Sequence, residues 1–335
     1  MTKKLAEIPI SVLDLAPIIE GGTAGVAFQN SLDLAKHAEK WGYHRYWVAE
    51  HHNMPGIASS ATAVVIGYVA AGTSTIRVGS GGIMLPNHAP LIIAEQFGTL
   101  ESMYPGRIDL GLGRAPGTDQ TTARALHRDR HGGLNFPDQL EELRSYFDPS
   151  LSVNNNQIQA IPGKGLKIPI WLLGSSDFSA RLAGHLGLPF AFASHFSPDF
   201  TVPAIQLYLN SFSPSEHLQE PYCMAGVNVI AAESDEKAEW LSTSMKQQFL
   251  NMMRGKPTQL KPPVDDMNEL WLPHEKEALE RQFATSIIGS PETVKSKLQG
   301  FLTMTGVNEL MVNSMIYDHQ ERLKSYEIVS QLTKE

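Results

Sequence analysis

Short apolar runs alternate along the chain with longer segments in which hydrophobic residues recur at helical spacing. The runs are rich in β-branched and aromatic residues, which is typical of buried strands, and the longer segments have the pattern of amphipathic helices. About eight runs occur, the number of strands that closes a parallel barrel. The predicted strands are Ile8 to Leu13, Tyr43 to Val48, Ile76 to Val78, Ile108 to Leu112, Ile170 to Leu173, Phe190 to Ala193, Tyr222 to Ala231 and Glu309 to Asn313.

The helical segments lie between these strands, so the pattern predicts a βα repeat and an α/β fold, a (β/α)8 TIM barrel with loop insertions. Two helix starts are marked by serine: Ser234 lies three residues before Lys237, and Ser290 precedes Pro291, which suits the first helical position. The predicted helices are Gly25 to Trp41, Ser59 to Ala71, Pro90 to Tyr104, Ser176 to Leu186, Ser234 to Leu250 and Pro291 to Thr305.

An open, doubly wound sheet is the alternative architecture, because βα alternation alone does not show whether a sheet closes. The dinucleotide-binding fingerprint of such sheets is weak in this chain. Gly111 and Gly113 follow a predicted strand, but Pro116 stands where the third glycine belongs and Gly117 comes one residue late. This departure favours the closed barrel.

The length of 335 residues suits a single barrel domain over residues 1–335. The barrel pattern is interrupted near residues 130–165, with a turn at Asn154–Asn156, and near residues 255–280, which contain several prolines. A shorter interruption lies at Ser213 to Pro221. We interpret the 255–280 segment as an active-site lid, with a passive surface excursion as the alternative.

Composition narrows the class of partner. Hydrophobic residues make up 42% of the chain and charged residues 19%, and the net charge of -8 argues against a nucleic-acid or anionic-membrane binder. The single cysteine, Cys223, lies in an apolar run and is expected in the core, so a disulfide within the chain is excluded. No signal peptide or membrane span is predicted, and we expect a cytoplasmic protein that acts on a small molecule.

The residues Glu50 to Asn53 place imidazole, carboxylate and amide groups directly after the second predicted strand. Sites of α/β folds lie at the carboxyl ends of strands, so chemistry is expected here. No metal-binding spacing is visible, and neighbouring residues at a strand end point to opposite faces, so no metal site is predicted. We predict that His51 is catalytic and that His52 and Glu50 support it, with a purely structural histidine as the alternative.

Three glycines occur in four positions at the end of the third predicted strand, at Gly79, Gly81 and Gly82. Glycine lets the backbone approach a flat ligand or adopt unusual dihedral angles, including a cis peptide. Gly81 and Gly82 are therefore candidate cofactor-binding residues, and an ordinary tight loop is the alternative.

Two further segments suit an anion. Arg114 follows the strand Ile108 to Leu112 and can grip phosphate through two hydrogen bonds, whereas Arg107 precedes that strand and is expected to form a structural ion pair. Gly174, Ser175 and Ser176 lie between a strand and a helix, where hydroxyls and free backbone amides converge. The alternative is that one of the two serines only caps the helix.

These segments together resemble the bacterial luciferase-like flavin monooxygenase family over nearly the whole chain. They include Trp47 to Asn53, Gly79 to Pro86, Tyr104 to Arg114 and Leu173 to Ser176. The opening Ser11 to Pro17 and the pair Asp318-His319 are similar to those of a single-chain group of luciferase-like monooxygenases whose substrate is unassigned.

The resemblance implies a (β/α)8 barrel, usually a homodimer, that takes reduced FMN from a separate flavin reductase and uses dioxygen to oxygenate a small organic substrate. It further implies that His51 lies beside the flavin ring, that Gly81 and Gly82 form a non-proline cis peptide under it, and that Arg114, Ser175 and Ser176 hold the phosphate. Gly113 stands where luciferase itself has a reactive cysteine, which argues against light emission.

Two alternatives remain open from the sequence. Related barrels bind a deazaflavin in the same pocket and transfer hydride, and degenerate relatives bind flavin without turnover. The polar residues Asp14, Asn53, His88 and His195 lie at predicted strand or loop ends and are candidate pocket residues, but each is expected to be structural rather than catalytic.

Overall fold

The computed structural model describes residues 3–126, 133–151 and 158–334. The predicted turn at Asn154–Asn156 and part of the predicted 130–165 insertion lie outside these ranges. Among the described helices, none combines the length and the apolar character needed to cross a bilayer.

Eight parallel strands close into a barrel, and each of them overlaps one of the eight predicted runs, with ends that differ by a few residues. The order around the barrel is β1, β2, β3, β5, β6, β7, β8 and β10, and pairing of β10 with both β1 and β8 closes the ring. Two shorter strands, β4 and β9, extend the sheet from β5 and β8. The strands are β1 (Ile10–Asp14), β2 (Arg45–Val48), β3 (Arg77–Ser80), β4 (Ile83–Met84), β5 (Ile108–Gly113), β6 (Ile170–Gly174), β7 (Phe190–Phe192), β8 (Cys223–Ala231), β9 (Ile287–Gly289) and β10 (Glu309–Asn313).

Helices surround the barrel and bury their apolar faces against the outer side of the strands. The described α-helices are α1 (Ala24–Trp41), α2 (Thr62–Ala71), α3 (Pro90–Met103), α4 (Gln120–Ala125), α5 (Phe136–Phe147), α6 (Asp177–His185), α7 (Thr201–Ser211), α8 (Asp235–Met253), α9 (Pro273–Gln282), α10 (Pro291–Thr305) and α11 (His319–Leu332). The closed parallel barrel confirms the predicted (β/α)8 fold and excludes the open sheet.

The helix starts test the capping predictions. The Ser234 hydroxyl accepts a hydrogen bond from the Lys237 amide at 3.2 Å, which confirms the first predicted cap. Ser290 also precedes its helix, with Pro291 as the first helical residue, but its hydroxyl contacts the Thr293 hydroxyl rather than a backbone amide. The position of this second cap was predicted correctly and its hydrogen bond was not.

The two predicted insertions contain helices that the sequence pattern did not indicate. Helix α5 occupies part of the 130–165 segment, and α9 begins at Pro273 within the 255–280 segment. Proline at the first helical position needs no amide partner, so the prolines there start a helix instead of preventing one.

Charged residues fill the barrel interior at the amino ends of the strands. The Arg45 guanidinium lies 2.7 Å from Asp109 and 2.8 Å from Glu309, and Arg77 lies 2.6 Å from Asp109. The Tyr222 hydroxyl donates to Glu309 at 2.9 Å. These side chains close the amino end of the barrel, so the carboxyl end is where a ligand can meet the predicted site residues.

Candidate active site

The turn after β2 is organised by the buried carboxylate of Glu50. It accepts hydrogen bonds from Nε2 of His52 at 2.8 Å and from Nε2 of His88 at 3.0 Å. The Met84 amide donates at 2.9 Å and the Asn87 side-chain amide at 3.1 Å. Burial alone would raise the pKa of Glu50, but these donors outweigh burial and lower the pKa to about 2. An ionised Glu50 therefore joins the β2 turn to the loop that follows β4.

His51 lies between these anchored neighbours, and its own ring is unsatisfied. Nδ1 is buried and has no hydrogen-bond partner among the described residues. Burial lowers the pKa of His51 to about 4. The negative charge of Glu50 favours the protonated ring and opposes this shift, but burial has the larger effect. The imidazole is therefore neutral at pH 7. A buried polar atom without a partner is costly, which suggests that a ligand pairs with it.

The peptide between Gly81 and Gly82, directly after β3, is cis. The protein packs closely around both residues. A Cβ on Gly81 would lie 2.7 Å from the Leu13 side chain, and a Cβ on Gly82 would lie 2.8 Å from the Gly111 carbonyl oxygen. Glycine is therefore required at both positions by the local packing alone.

Arg114 and the amino end of α6 lie together. Strands β5 and β6 are neighbours, and the Arg114 guanidinium carbon is 4.2 Å from the ring centre of Phe178, in the first turn of α6. A guanidinium that stacks by its face keeps its N–H donors in the ring plane, where they suit an anion.

The Gly174 to Ser176 segment supplies the other half of this region. Ser176 occupies the N-cap position of α6, yet its hydroxyl makes no capping hydrogen bond within the described chain. Gly174 has a packing role, because a Cβ there would lie 2.8 Å from the Ser179 side chain. The helix amides and two hydroxyls thus lie next to Arg114, an arrangement that suits phosphate.

His195 was a candidate pocket residue for which the sequence favoured a structural role over a catalytic one. It follows β7 and is only 5% exposed, and its Nδ1 has no hydrogen-bond partner in the described parts of the chain. Burial lowers the pKa of His195 to about 4, the Gly226 carbonyl opposes this shift, and a charge on His51 adds to it. The available sequence signal was a histidine just beyond a strand of the barrel, as for His51.

The other three polar candidates make structural contacts, as expected. The Asp14 carboxylate pairs with Arg322 at 2.6 Å and accepts a hydrogen bond from Tyr46. His88 binds Glu50, as described above. The Asn53 side chain donates to the hydroxyl of Thr122 at 3.0 Å, and its backbone has a positive φ of 55°.

Arg107 and Cys223 lie away from the site. The Arg107 guanidinium donates to the carbonyls of Ile76 at 3.0 Å and Thr73 at 3.0 Å, so the predicted ion pair is wrong although the structural role is right. These carbonyls lie in the connection between α2 and β3, outside the regular hydrogen bonding of the helix and the strand. The arginine supplies the hydrogen-bond donors that they need. Cys223 is buried, and burial raises the pKa of its thiol well above the usual range.

The 255–280 segment crosses the carboxyl end of the barrel. The backbone of Leu260 pairs with the segment after β1, through hydrogen bonds of 2.9 Å to Ile18 and 2.8 Å from Glu20. Leu260 is fully buried, and a Cβ on Gly56, in the β2–α2 connection, would lie 2.5 Å from the Thr258 carbonyl. The segment therefore packs over the same end of the barrel as His51.

A cavity lies at the other end of the barrel. It has a volume of about 860 Å³ and is lined by residues at the amino ends of the strands, including Arg45, Arg77, Trp171 and Tyr222. It is separate from the residues that the sequence predicted for the site. In the described ranges, no group of three or more histidine, cysteine or carboxylate side chains is arranged to hold a metal ion.

The carboxyl end of the barrel thus has three components: the half-buried imidazole of His51, a tightly packed glycine turn, and Arg114 beside the amino end of α6. The glycine turn on β3 lies between His51 on β2 and Arg114 on β5 in the strand order. This arrangement suits a flat heterocycle that carries a phosphate, which is the chemistry of FMN.

Comparison with known proteins identifies the family of this chain. The family model described as luciferase-like monooxygenase matches residues 8–309. A Bacillus subtilis protein, YvbT, is 62% identical over 97% of this chain and 96% of its own length. The Escherichia coli K12 protein named luciferase-like monooxygenase is 54% identical over 98% of each chain.

More distant similarities indicate the range of chemistry on this fold. The crystal structure of apo-MsnO8 has a TM-score of 0.86 and 35% identity over 98% of each chain. A Bacillus subtilis N-acetyl-S-alkylcysteine monooxygenase is 33% identical over 96% of this chain and 97% of its own length. An F420-dependent secondary alcohol dehydrogenase shares only the fold, with a TM-score of 0.73 and 14% identity over 98% of this chain and 100% of its own.

Proposed function

The chain belongs to the luciferase-like monooxygenase family, and on that premise we propose that it is an FMN-dependent monooxygenase. It takes reduced FMN from a separate flavin reductase and uses dioxygen to oxygenate a small organic substrate. The observation that carries this proposal is the buried, unpartnered Nδ1 of His51 at the same end of the barrel as Arg114 and the amino end of α6.

The FMN phosphate is proposed to bind Arg114, Ser175, Ser176 and the first amides of α6. The uncapped helix end supports this assignment, because Ser176 leaves those amides available. The stacking of Arg114 on Phe178 fixes the guanidinium beside them. The turn at Gly81 and Gly82, which follows the neighbouring strand, would hold the flavin ring.

Reduced FMN, when bound, supplies two electrons for the activation of dioxygen. His51 contributes a neutral imidazole, which holds a proton on one ring nitrogen and accepts a proton on the other. Because Glu50, the residue before His51, accepts hydrogen bonds from four donors, the backbone that carries the His51 ring is held in place before any ligand arrives. Burial excludes water from Nδ1, which strengthens a hydrogen bond formed there.

FMN is favoured over a deazaflavin by sequence similarity. The relatives at 54% and 33% identity are named monooxygenases, whereas the F420-dependent dehydrogenase shares 14% identity and only the fold. The non-catalytic alternative is disfavoured because a protein that only binds flavin needs the phosphate contacts but no positioned imidazole. We further propose that the 255–280 segment acts as the lid of the site, since it packs across the barrel end.

A homodimer is proposed from the surface of α2. This helix is apolar on every side, which is typical of a buried helix, yet Val64 is 73% and Tyr68 is 43% exposed. Ile92 on the adjacent helix α3 is also exposed. A second copy of the chain would cover these side chains, and apolar patches of this kind mark interfaces.

The experiment that tests the proposal compares the wild type with His51→Ala. Each protein is mixed with reduced FMN without oxygen and then with oxygen, and flavin oxidation is followed by absorbance. We expect the wild type to alter the rate of oxidation relative to free flavin and His51→Ala to change that rate by ~10² or more. His185→Ala, an exposed position in the last turn of α6, is the matched control and keeps the wild-type rate.

Equal rates in His51→Ala and the wild type would support the non-catalytic flavin binder. Binding of reduced F420 without binding of reduced FMN would support hydride transfer with the deazaflavin. Both results contradict the proposed monooxygenase.

A further inference from the structure

We propose that His195 is a second ligand-contacting residue of this site, which forms a hydrogen bond through Nδ1 to the ring system of the bound reduced flavin. The inference rests on the proposed function, because the flavin is the ligand that it names. It assigns a role to a histidine outside the β2 turn, which the sequence treated as structural.

The ring of His195 lies over a glycine of the neighbouring strand. A Cβ at Gly226, in β8, would lie 2.7 Å from Nδ1 and 2.8 Å from Cε1 of His195. The His195 amide also donates to the Gly226 carbonyl at 3.2 Å. Only glycine at position 226 leaves room for the imidazole, so the ring is directed over β8 toward the barrel axis.

The loop that carries His195 is held on its outer side. The Gln282 side chain donates to the carbonyl of His195 at 3.0 Å, and Thr285 donates to the carbonyl of Ser194 at 3.1 Å. These contacts hold the backbone of Ser194 and His195 in place. The Nδ1 of His195 is buried and makes no hydrogen bond to the described residues, so this nitrogen remains available to a ligand.

The strand order places His195 on the far side of the proposed flavin position from His51. Five neighbouring strands of the barrel are each followed by one of these groups. In order around the barrel, they are β2 followed by His51, β3 by the Gly81–Gly82 turn, β5 by Arg114, β6 by Ser175 and β7 by His195. A charge on His51 also disfavours protonation of His195, so the two rings are electrostatically coupled. A flat ligand over β3, β5 and β6 is therefore flanked by the two imidazoles.

The neutral ring suits this contact. The pyrimidine part of a flavin presents alternating carbonyl and N–H groups, and either tautomer of a neutral imidazole can pair with one of them. We expect a hydrogen bond in a water-excluded site to account for ~10-fold in affinity, which is ~1.4 kcal/mol.

Three substitutions at one position separate this role from packing. His195→Phe keeps a ring and removes both nitrogens, His195→Asn places an amide where Nδ1 lies, and His195→Gln places one where Nε2 lies. The dissociation constant of reduced FMN is measured without oxygen for each holoprotein, together with the melting temperature. We expect Phe to raise the dissociation constant ~10-fold, Asn to restore it to within about 3-fold of the wild type, and Gln to leave it raised.

A structural role would produce a different result. If His195 were only structural, each substitution would lower the melting temperature in proportion to its effect on binding. The Asn and Gln variants would then bind reduced FMN equally well. Because Phe removes a buried unpartnered nitrogen, we expect its flavin-free form to melt no lower than the wild type.

A second measurement uses Gly226→Ala. In the wild-type background, the added Cβ displaces the imidazole and raises the dissociation constant of reduced FMN. In the His195→Ala background there is no ring to displace, so the same substitution leaves that dissociation constant unchanged. Additive effects in this cycle, or unchanged binding in His195→Phe, would overturn the inference while leaving the proposed function intact. A wild type that fails to bind reduced FMN would overturn both.

Discussion

Replacement of Glu50 is the most informative perturbation of the site, because this buried carboxylate orders the turn that carries His51. Glu50→Ala removes the carboxylate that accepts hydrogen bonds from four donors. These donors are two imidazole nitrogens, one backbone amide and one side-chain amide, and they lie 2.8–3.1 Å from the carboxylate oxygens. Breaking a buried charged contact by removing one partner costs about 3–5 kcal/mol. We expect a loss of that size in the free energy of unfolding, together with loss of the ordered position of His51.

Glu50→Gln refines this magnitude. The glutamine oxygen still accepts a hydrogen bond from the Met84 amide. The NH₂ group replaces the other carboxylate oxygen, so it can only donate, and the imidazole of His52 or His88 must then accept through Nε2. We expect a smaller loss, about 1–2 kcal/mol, because shape and part of the hydrogen bonding are retained. Glu277→Ala, which removes an exposed carboxylate on α9, is the matched control and should leave stability unchanged.

Urea unfolding at pH 7 measures these losses as shifts in the midpoint at constant slope. The pH dependence provides an independent check of sign. The pKa of Glu50 is about 2 when folded, below its ordinary value of 4.5, so the carboxylate stabilises the protein above about pH 4.5, and that contribution is lost as the pH falls toward 2. A Glu50→Ala protein within about 1 kcal/mol of the wild type at pH 7 would refute the reasoning.

Three further predictions follow from buried or exposed groups. The pKa values of His51 and His195 are about 4 when folded against an ordinary 6.5, so the unfolded chain binds more protons and stability falls as the pH drops from about 6.5 to 4. The loss is at most about 3 kcal/mol per ring, and His195→Phe should lose less in urea unfolding at pH 5. Arg114→Ala should raise the dissociation constant of reduced FMN by ~10–100-fold and leave that of reduced riboflavin unchanged in the same titration; equal losses would exclude a phosphate contact. Val64→Glu should convert a dimer to monomer in analytical ultracentrifugation, whereas Met304→Glu, at an exposed site on α10, should not.

The sequence was sufficient for the barrel because its strands are continuous apolar runs. All eight barrel strands overlap predicted runs, whereas the short strand β9 was not predicted. Helix α9 was missed because Pro273 suggested a loop, although proline favours the first helical position.

The site was predicted in part because some of its contacts follow from strand order. Arg114 and Ser176 end adjacent strands, so their proximity could be inferred. The role of His195 could not, because its burial depends on Gly226 from another strand and on Gln282 from a distant helix. The contact between Glu50 and His88 likewise joins two loops that no local pattern connects.

The most direct test of the central claim is an anaerobic titration of the wild type with oxidised and with reduced FMN, followed by an oxygen pulse observed by stopped-flow absorbance. We expect tighter binding of the reduced form and a bound flavin species whose spectrum differs from that of oxidised FMN and decays slowly. Failure to bind reduced FMN, or return to oxidised FMN at the rate of free flavin, would contradict the assignment as an FMN-dependent monooxygenase.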